Sequence, residues 1–80
     1  MQFISPILFI SIRSVKSQKN GRSYEFVSFL AEGKYYEVFA SVPDPVFDFL
    51  SQLEVSTPIT GTFEVTSSNG RASVKLVDAI

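Results

Sequence analysis

Hydrophobic and polar residues alternate along most of this chain, and a period of two is typical of β-strands with one buried face. The alternation predicts a first strand over 8–16, long enough to bend across both halves of a small barrel. It predicts a second strand over 24–31 and a third over 35–42. The dipeptides Asn20-Gly21 and Glu32-Gly33 separate these stretches, and such residues favour the positive φ angles of turns.

Each predicted strand divides its side chains between two faces. In the first strand, one face carries Leu8, Ile10 and Ile12, and the other carries Phe9, Ser11 and Arg13. In the second, Tyr24 and Phe26 share one face, and Val27 and Phe29 share the other. In the third, Tyr36, Val38, Ala40 and Val42 oppose Tyr35, Glu37, Phe39 and Ser41. Among the phenylalanines, the residues expected in the core are Phe9, Phe49 and Phe63.

The period changes after the third strand. Asp44 suits a helix N-cap and Pro45 suits the first helical position. One apolar stripe of a short helix follows, formed by Val46, Phe49, Leu50 and Leu53. Alternation returns over 59–66, with Gly61, Phe63 and Val65 expected to point inward, and again over 71–76. A hairpin turn at Ser68-Asn69-Gly70 joins these last two strands.

The resulting order is β-β-β-α-β-β, in a single domain spanning residues 1–80. This is the order of the five-stranded OB fold, so the sequence predicts an all-β, OB-fold-like Greek-key barrel with one short helix. An SH3-like barrel is the alternative, but it normally lacks a full helical stripe before its fourth strand.

The N-terminal apolar run could suggest a signal peptide. It has no preceding basic residue and no cleavage site, so a strand is expected.

Composition limits the chemistry of the chain. Hydrophobic residues make up 45 % of it, which is enough for a packed core. It has no cysteine and no histidine, so the usual ligands of zinc, haem and iron–sulfur centres are missing, as are the commonest nucleophile and general base. Asp44 and Asp48 are best explained as acids near a helix N-terminus rather than as a catalytic pair. We therefore expect no enzyme activity and no cofactor.

Charge is distributed unevenly, although the net charge is only −1. Residues 1–24 carry four basic side chains and no acid, whereas 25–64 carry seven acids and one base. The four basic residues are Arg13, Lys16, Lys19 and Arg22. They run into an aromatic-rich stretch that contains Tyr24, Phe26, Phe29, Tyr35, Tyr36 and Phe39. Cations that hold phosphates beside rings that stack on bases are what a single nucleic-acid strand requires. A merely solvated loop, with most of these rings in the core, is the alternative interpretation.

Three segments of the chain resemble one family in order and spacing. The run Lys19-Asn20-Gly21-Arg22-Ser23-Tyr24-Glu25-Phe26 resembles the second-strand segment of the single-stranded-DNA-binding proteins of filamentous bacteriophages (inoviruses). That family shows a basic residue, then Gly, a variable pair and Tyr at this place. Residues 33–42, with Tyr36, are similar to its third strand, and 68–76 to the last hairpin of its shorter members.

The resemblance implies a homodimeric OB-fold protein that coats single-stranded DNA with little sequence preference during phage DNA replication, in the host cytoplasm and without a membrane. By matching position it implies stacking or strand-facing roles for Tyr24, Phe26 and Tyr36. It implies phosphate contacts for Arg13, Lys16, Lys19 and Arg22, and it places Arg71 in the hairpin that supports dimer and DNA contacts in that family. Two alternatives stay open: a small-barrel protein–protein adaptor or assembly subunit, and a cold-shock-like module that binds RNA.

Overall fold

Five strands and one helix form in the order that the alternation predicts. The computed structural model describes residues 1–80. Its elements are β1 (Gln2–Lys16), β2 (Ser23–Ala31), β3 (Lys34–Ala40), α1 (Asp44–Ser51), β4 (Thr57–Ser68) and β5 (Arg71–Ala79). None of its helical segments has the length and apolar character needed to cross a bilayer.

The strands close into a barrel in the order β1-β2-β3-β5-β4. β1 is shared between the two halves, because its first half pairs with β4 and its second half pairs with β2, antiparallel in both cases. β3 and β5 run parallel and are joined at only two positions, Phe39 with Lys75 and Ala40 with Leu76. The strand order and the helix between β3 and β4 are those of the OB fold, so the predicted fold class is confirmed.

An irregularity in β1 changes which side chains point inward. The register with β2 shifts between Phe9 and Ser11, so that one extra residue is inserted in β1. Because side chains alternate along a strand, a one-residue bulge exchanges the two faces. Ile7 and Phe9 are buried before the bulge, and Ile12 packs against the core after it. The predicted burial of Phe9 is confirmed, and Leu8 on the opposite face of the strand is 38 % exposed.

The core is a cluster of ten buried hydrophobic residues. They are Ile7, Phe9, Val27, Phe29, Ala40, Leu50, Ile59, Phe63, Leu76 and Ala79. Gly61 and Phe63 of β4 are buried as the sequence predicts, whereas Val65, also expected to point inward, is only partly buried. A Cβ on Gly61 would lie 2.9 Å from Cε2 of Phe63, so this strand position has room only for glycine. The turns at Glu32-Gly33 and Asn69-Gly70 each have two consecutive positive φ angles, which suit two-residue hairpins.

The helix differs from its prediction in two respects. It begins at Asp44, with Pro43 at the N-cap and no side-chain cap, so Asp44 was wrongly expected to be the N-cap. Asp44 instead lies in the first turn, where a carboxylate favours the helix dipole. Leu50 is fully buried, but Phe49 was wrongly expected in the core and is 40 % exposed. An eight-residue helix that packs on β1 and β5 buries only the middle of its stripe, and Phe49 lies at the edge of that stripe beside Ile80.

Candidate nucleic-acid interface

Outward-facing side chains of β1, β2 and β3 form an aromatic face, which we define by Arg13, Tyr24, Phe26 and Phe39. The strand register explains their proximity, because Arg13 pairs with Phe26 and Phe26 pairs with Phe39 across the sheet. Tyr24 lies two residues before Phe26 and therefore points to the same side. The inward positions of β2 are taken by the core residues Val27 and Phe29. Burial of one face of β2 thus requires its remaining rings to lie outside.

The rings of the aromatic face touch each other and stay open to solvent. The centroids of Phe26 and Phe39 are 4.8 Å apart, and those of Tyr24 and Phe39 are 6.4 Å apart in an edge-on arrangement. Phe39 is 51 % exposed and Tyr24 is 38 % exposed. Cζ of Arg13 lies 5.2 Å from the centroid of Phe26, within the range of a cation–π contact. The result is a continuous aromatic surface on which flat groups could stack.

A chain of polar contacts borders the rings. The Tyr35 hydroxyl donates to Ser28 Oγ at 3.1 Å, and the Ser28 hydroxyl in turn donates to Glu37 Oε2 at 3.2 Å. Nη2 of Arg13 lies 3.2 Å and 3.3 Å from the two oxygens of the same carboxylate. Ser28 is only 3 % exposed, although it points away from the core. Glu37 therefore holds Arg13 over Phe26 and partly neutralises its charge.

Three cations at one end of this face have no acidic partner. Lys16 ends β1, and Lys19 and Arg22 lie in the loop 17–22. The two salt bridges of the structure involve Arg13 and Lys75, so none of these three side chains is neutralised within 4 Å. Three of the four predicted phosphate contacts thus remain available to an anionic ligand, whereas Arg13 is paired with Glu37.

Hydrogen bonds fix the loop to the aromatic face. The Ser17 amide donates to the Arg22 carbonyl at 2.8 Å, which closes the loop. The Asn20 side-chain amide donates to the Tyr24 hydroxyl at 3.1 Å, while Asn20 Oδ1 accepts from the Arg22 amide at 3.0 Å. Asn20 therefore couples the position of the basic loop to the ring of Tyr24.

Two sequence-predicted residues lie away from this face. Tyr36 belongs to the inward side of β3 and stacks on the core ring of Phe29 at 5.7 Å. Arg71 lies at the tip of the β4–β5 hairpin. Because β5 runs parallel to β3, the tip lies toward the start of β3, whereas loop 17–22 lies by its end. The structure thus joins Arg13, Tyr24 and Phe26 but does not bring Tyr36 or Arg71 to them.

Two further members of the site were not identified by sequence reasoning. Phe39 is the most exposed ring of the aromatic face, and Glu37 is the acid that binds Arg13. Glu37 and Phe39 alternate along β3 with the apolar residues Val38 and Ala40, which point inward. This alternation was the sequence signal that places Glu37 and Phe39 together on the outer side. Lys75 pairs with Phe39 in the barrel and lies beside the face, but its Nζ is 3.7 Å from Glu64 Oε1.

Comparisons of this chain with protein-family models, with curated proteins and with solved structures found no match.

Proposed function

We propose that this chain binds single-stranded DNA non-specifically through the aromatic face and the loop 17–22. The observation that carries the proposal is the adjacency of three unneutralised cations and a row of exposed rings on the β1–β3 side of an OB barrel. In OB folds this side of the barrel is the one that binds oligonucleotides. No bond is made or broken in the proposed activity.

The two parts of the site supply different contributions. Lys16, Lys19 and Arg22 attract the phosphates, and their contribution should decrease with salt as bound counterions are released. Tyr24, Phe26 and Phe39 contact the bases with their faces or edges. Each stacked base contributes roughly 1–3 kcal/mol to the binding free energy. Stacking accepts every base, so little sequence preference is expected.

The resemblance of 19–26, 33–42 and 68–76 to the filamentous-phage family supports the same proposal and extends it. By that resemblance the protein would act as a homodimer that coats single strands during phage DNA replication, in the host cytoplasm. Arg71, which lies off the aromatic face, would then serve the strand or the dimer at another surface.

Titration with oligo(dT) tests the proposal. The chain has no tryptophan, so the emission of its three tyrosines can be followed directly. We expect stoichiometric quenching, because Tyr24 lies in the site. The logarithm of the binding constant should fall with the logarithm of salt concentration at a slope of about −2, from about 0.7 for each of three phosphate contacts. Absence of both quenching and a gel shift would contradict the proposal. A parallel titration with oligo(U) compares RNA.

A protein–protein adaptor is the second candidate, and an apolar groove favours it. Pro45, Val46 and Phe49 of α1 face Ala79 and Ile80 across this groove. Ile80 is largely exposed, so apolar surface there is open to a partner chain. Association through this groove should be nearly independent of salt, in contrast to binding through phosphates.

A further inference from the structure

The barrel has an open mouth that the aromatic face does not use. Beyond the pairs Phe39–Lys75 and Ala40–Leu76, no ladder joins β3 to β5, so the two strands separate toward the Glu32-Gly33 turn. A cavity of about 320 Å³ lies in this opening. All five strands line it and no residue of α1 does. Most of the residues that line it are hydrophobic, as is typical of small-molecule sites.

Four aromatic rings form a continuous wall of the cavity. Tyr36 stacks on Phe29 at 5.7 Å, Phe29 contacts Phe63 at 5.3 Å, and Phe63 stacks on Phe3 at 5.2 Å. The two middle rings are buried, whereas Phe3 and Tyr36 are each 42 % exposed. The wall therefore has two free ring surfaces at its ends, and such surfaces favour a flat ring or a cation.

One acid lies at the rim. Glu32 is the only charged residue that lines the cavity, and it has no salt-bridge partner. The Tyr36 hydroxyl forms no hydrogen bond within the chain, so a polar group is also free beside the rings. A carboxylate next to aromatic faces attracts a positively charged or amino-bearing group and repels an anion.

From these observations we propose that the barrel mouth binds one small arylalkylamine, with its aromatic ring against this wall and its ammonium group toward Glu32. The cavity volume is at the lower end for ligand pockets, which fits one or two fused rings. The inference is independent of the proposed DNA binding, because Tyr36 and Phe29 belong to the inward side of the sheet.

Three indole probes test the charge preference of the site. Tryptamine, 3-methylindole and indole-3-propionate share one ring and carry a positive, neutral or negative tail. Because the protein has no tryptophan, the indole emission and anisotropy report only the probe. We expect one tryptamine per chain, weaker binding of 3-methylindole and the weakest binding of indole-3-propionate. Equal affinities for all three probes, or no binding of any, would overturn the proposal.

A pair of matched variants locates the amino group. Glu32→Gln should weaken tryptamine binding roughly two- to fivefold, the range of an exposed ion pair, without changing the affinity for 3-methylindole. Glu54→Gln removes the same charge from the segment that follows α1, and it should change neither the affinity for tryptamine nor the affinity for 3-methylindole. If both variants lose the same affinity for tryptamine, the loss is caused by the change in net charge, and the assignment of Glu32 is contradicted. Both side chains are exposed, so neither change should prevent folding.

Two further measurements separate this site from the aromatic face. Val74→Phe places a ring in the cavity and should abolish tryptamine binding while oligo(dT) still binds. Circular dichroism first shows that this variant is folded. If the folded variant still binds tryptamine, the probe binds outside the cavity. In the unaltered protein, saturating oligo(dT) should leave the affinity for tryptamine unchanged. Saturating oligo(dA) should leave it unchanged as well, and displacement of tryptamine by either oligonucleotide would contradict a separate site.

Discussion

At the scale of single residues, the parity of each side chain along its strand decides its role. Tyr35 and Tyr36 are neighbours in the sequence, yet one bonds to Ser28 on the outer side and the other stacks on the core ring of Phe29. Phe39 and Phe29 are both phenylalanines in the same sheet, but one is exposed and the other buried. Residue type therefore indicates chemistry, while position in the pleat determines whether that chemistry reaches solvent.

The exposed ring of Phe39 provides the sharpest test of stacking. Phe39→Ala should weaken oligo(dT) binding roughly five- to 150-fold, corresponding to about 1–3 kcal/mol, with an unchanged salt slope. Phe49→Ala is the matched control, because that ring is also half-exposed but lies on α1. Fluorescence titrations of both variants give the comparison. Equal affinities of the two variants would exclude Phe39 from the site.

The carboxylate of Glu37 should act against DNA binding. Glu37→Gln removes a negative charge beside the rings and releases Arg13 from its ion pair, so oligo(dT) binding should tighten roughly two- to fivefold at low salt. Glu54→Gln controls for the change in net charge. If Glu37→Gln binds more weakly, the main role of the carboxylate is to position Arg13 over Phe26.

At the scale of elements, loop 17–22 and the β4–β5 hairpin carry basic residues at opposite ends of β3. The loop cations Lys19 and Arg22 are near Tyr24 through the bonds of Asn20, whereas Arg71 lies at the hairpin tip. The direction of β5 relative to β3, which is a property of the barrel, thus keeps Arg71 apart from the loop cations.

A charge-matched pair of double variants tests this separation. Lys19→Ala with Arg22→Ala should reduce the salt slope by about 1.4, since each lost phosphate contact accounts for about 0.7. Lys34→Ala with Arg71→Ala also removes one lysine and one arginine, but away from the loop, and should leave the slope nearly unchanged. Slopes that fall equally would indicate a response to net charge rather than a contact site.

The helix contributes to stability mainly through one residue. Leu50 is fully buried in the core cluster, and Leu50→Ala should lower the free energy of unfolding by about 2–5 kcal/mol. Phe49→Ala, on the exposed edge of the same helix, should cost clearly less. Urea denaturation followed by circular dichroism measures both. A larger loss for Phe49 would show that the groove beside Ile80 is covered in solution.

At the scale of the whole molecule, apolar surface remains uncovered on a single chain. Ile4, Val55 and Ile80 are each at least 69 % exposed, and the groove at α1 and the barrel mouth are open. A small domain with this much apolar surface gains stability by association. Together with the family resemblance, this supports the proposed homodimer.

Sedimentation at several protein concentrations tests the dimer. We expect twice the mass of the chain at micromolar concentration, with little effect of salt because the contacts are apolar. Ile80→Asp places a charge in the groove at α1 and leaves the aromatic face unchanged. Loss of the dimer in this variant would assign the dimer interface to the groove, whereas a retained dimer would assign it to another surface. A monomer at all concentrations would contradict the homodimer without affecting the proposed binding of DNA.

The order and type of the elements follow from the sequence alone, because period-two alternation, turn residues and one helical stripe are local signals. The concentration of basic residues near 13–22 and the burial of Phe9 and Phe63 follow from it as well. The face that each side chain takes around the β1 bulge is set by the tertiary structure, since one inserted residue exchanges the faces without changing the composition. The tertiary structure also decided the ion pair of Arg13 with Glu37, the exposure of Phe39 and the distance of Arg71 from the loop. These depend on register and strand direction between segments far apart in the chain, which a local pattern does not contain.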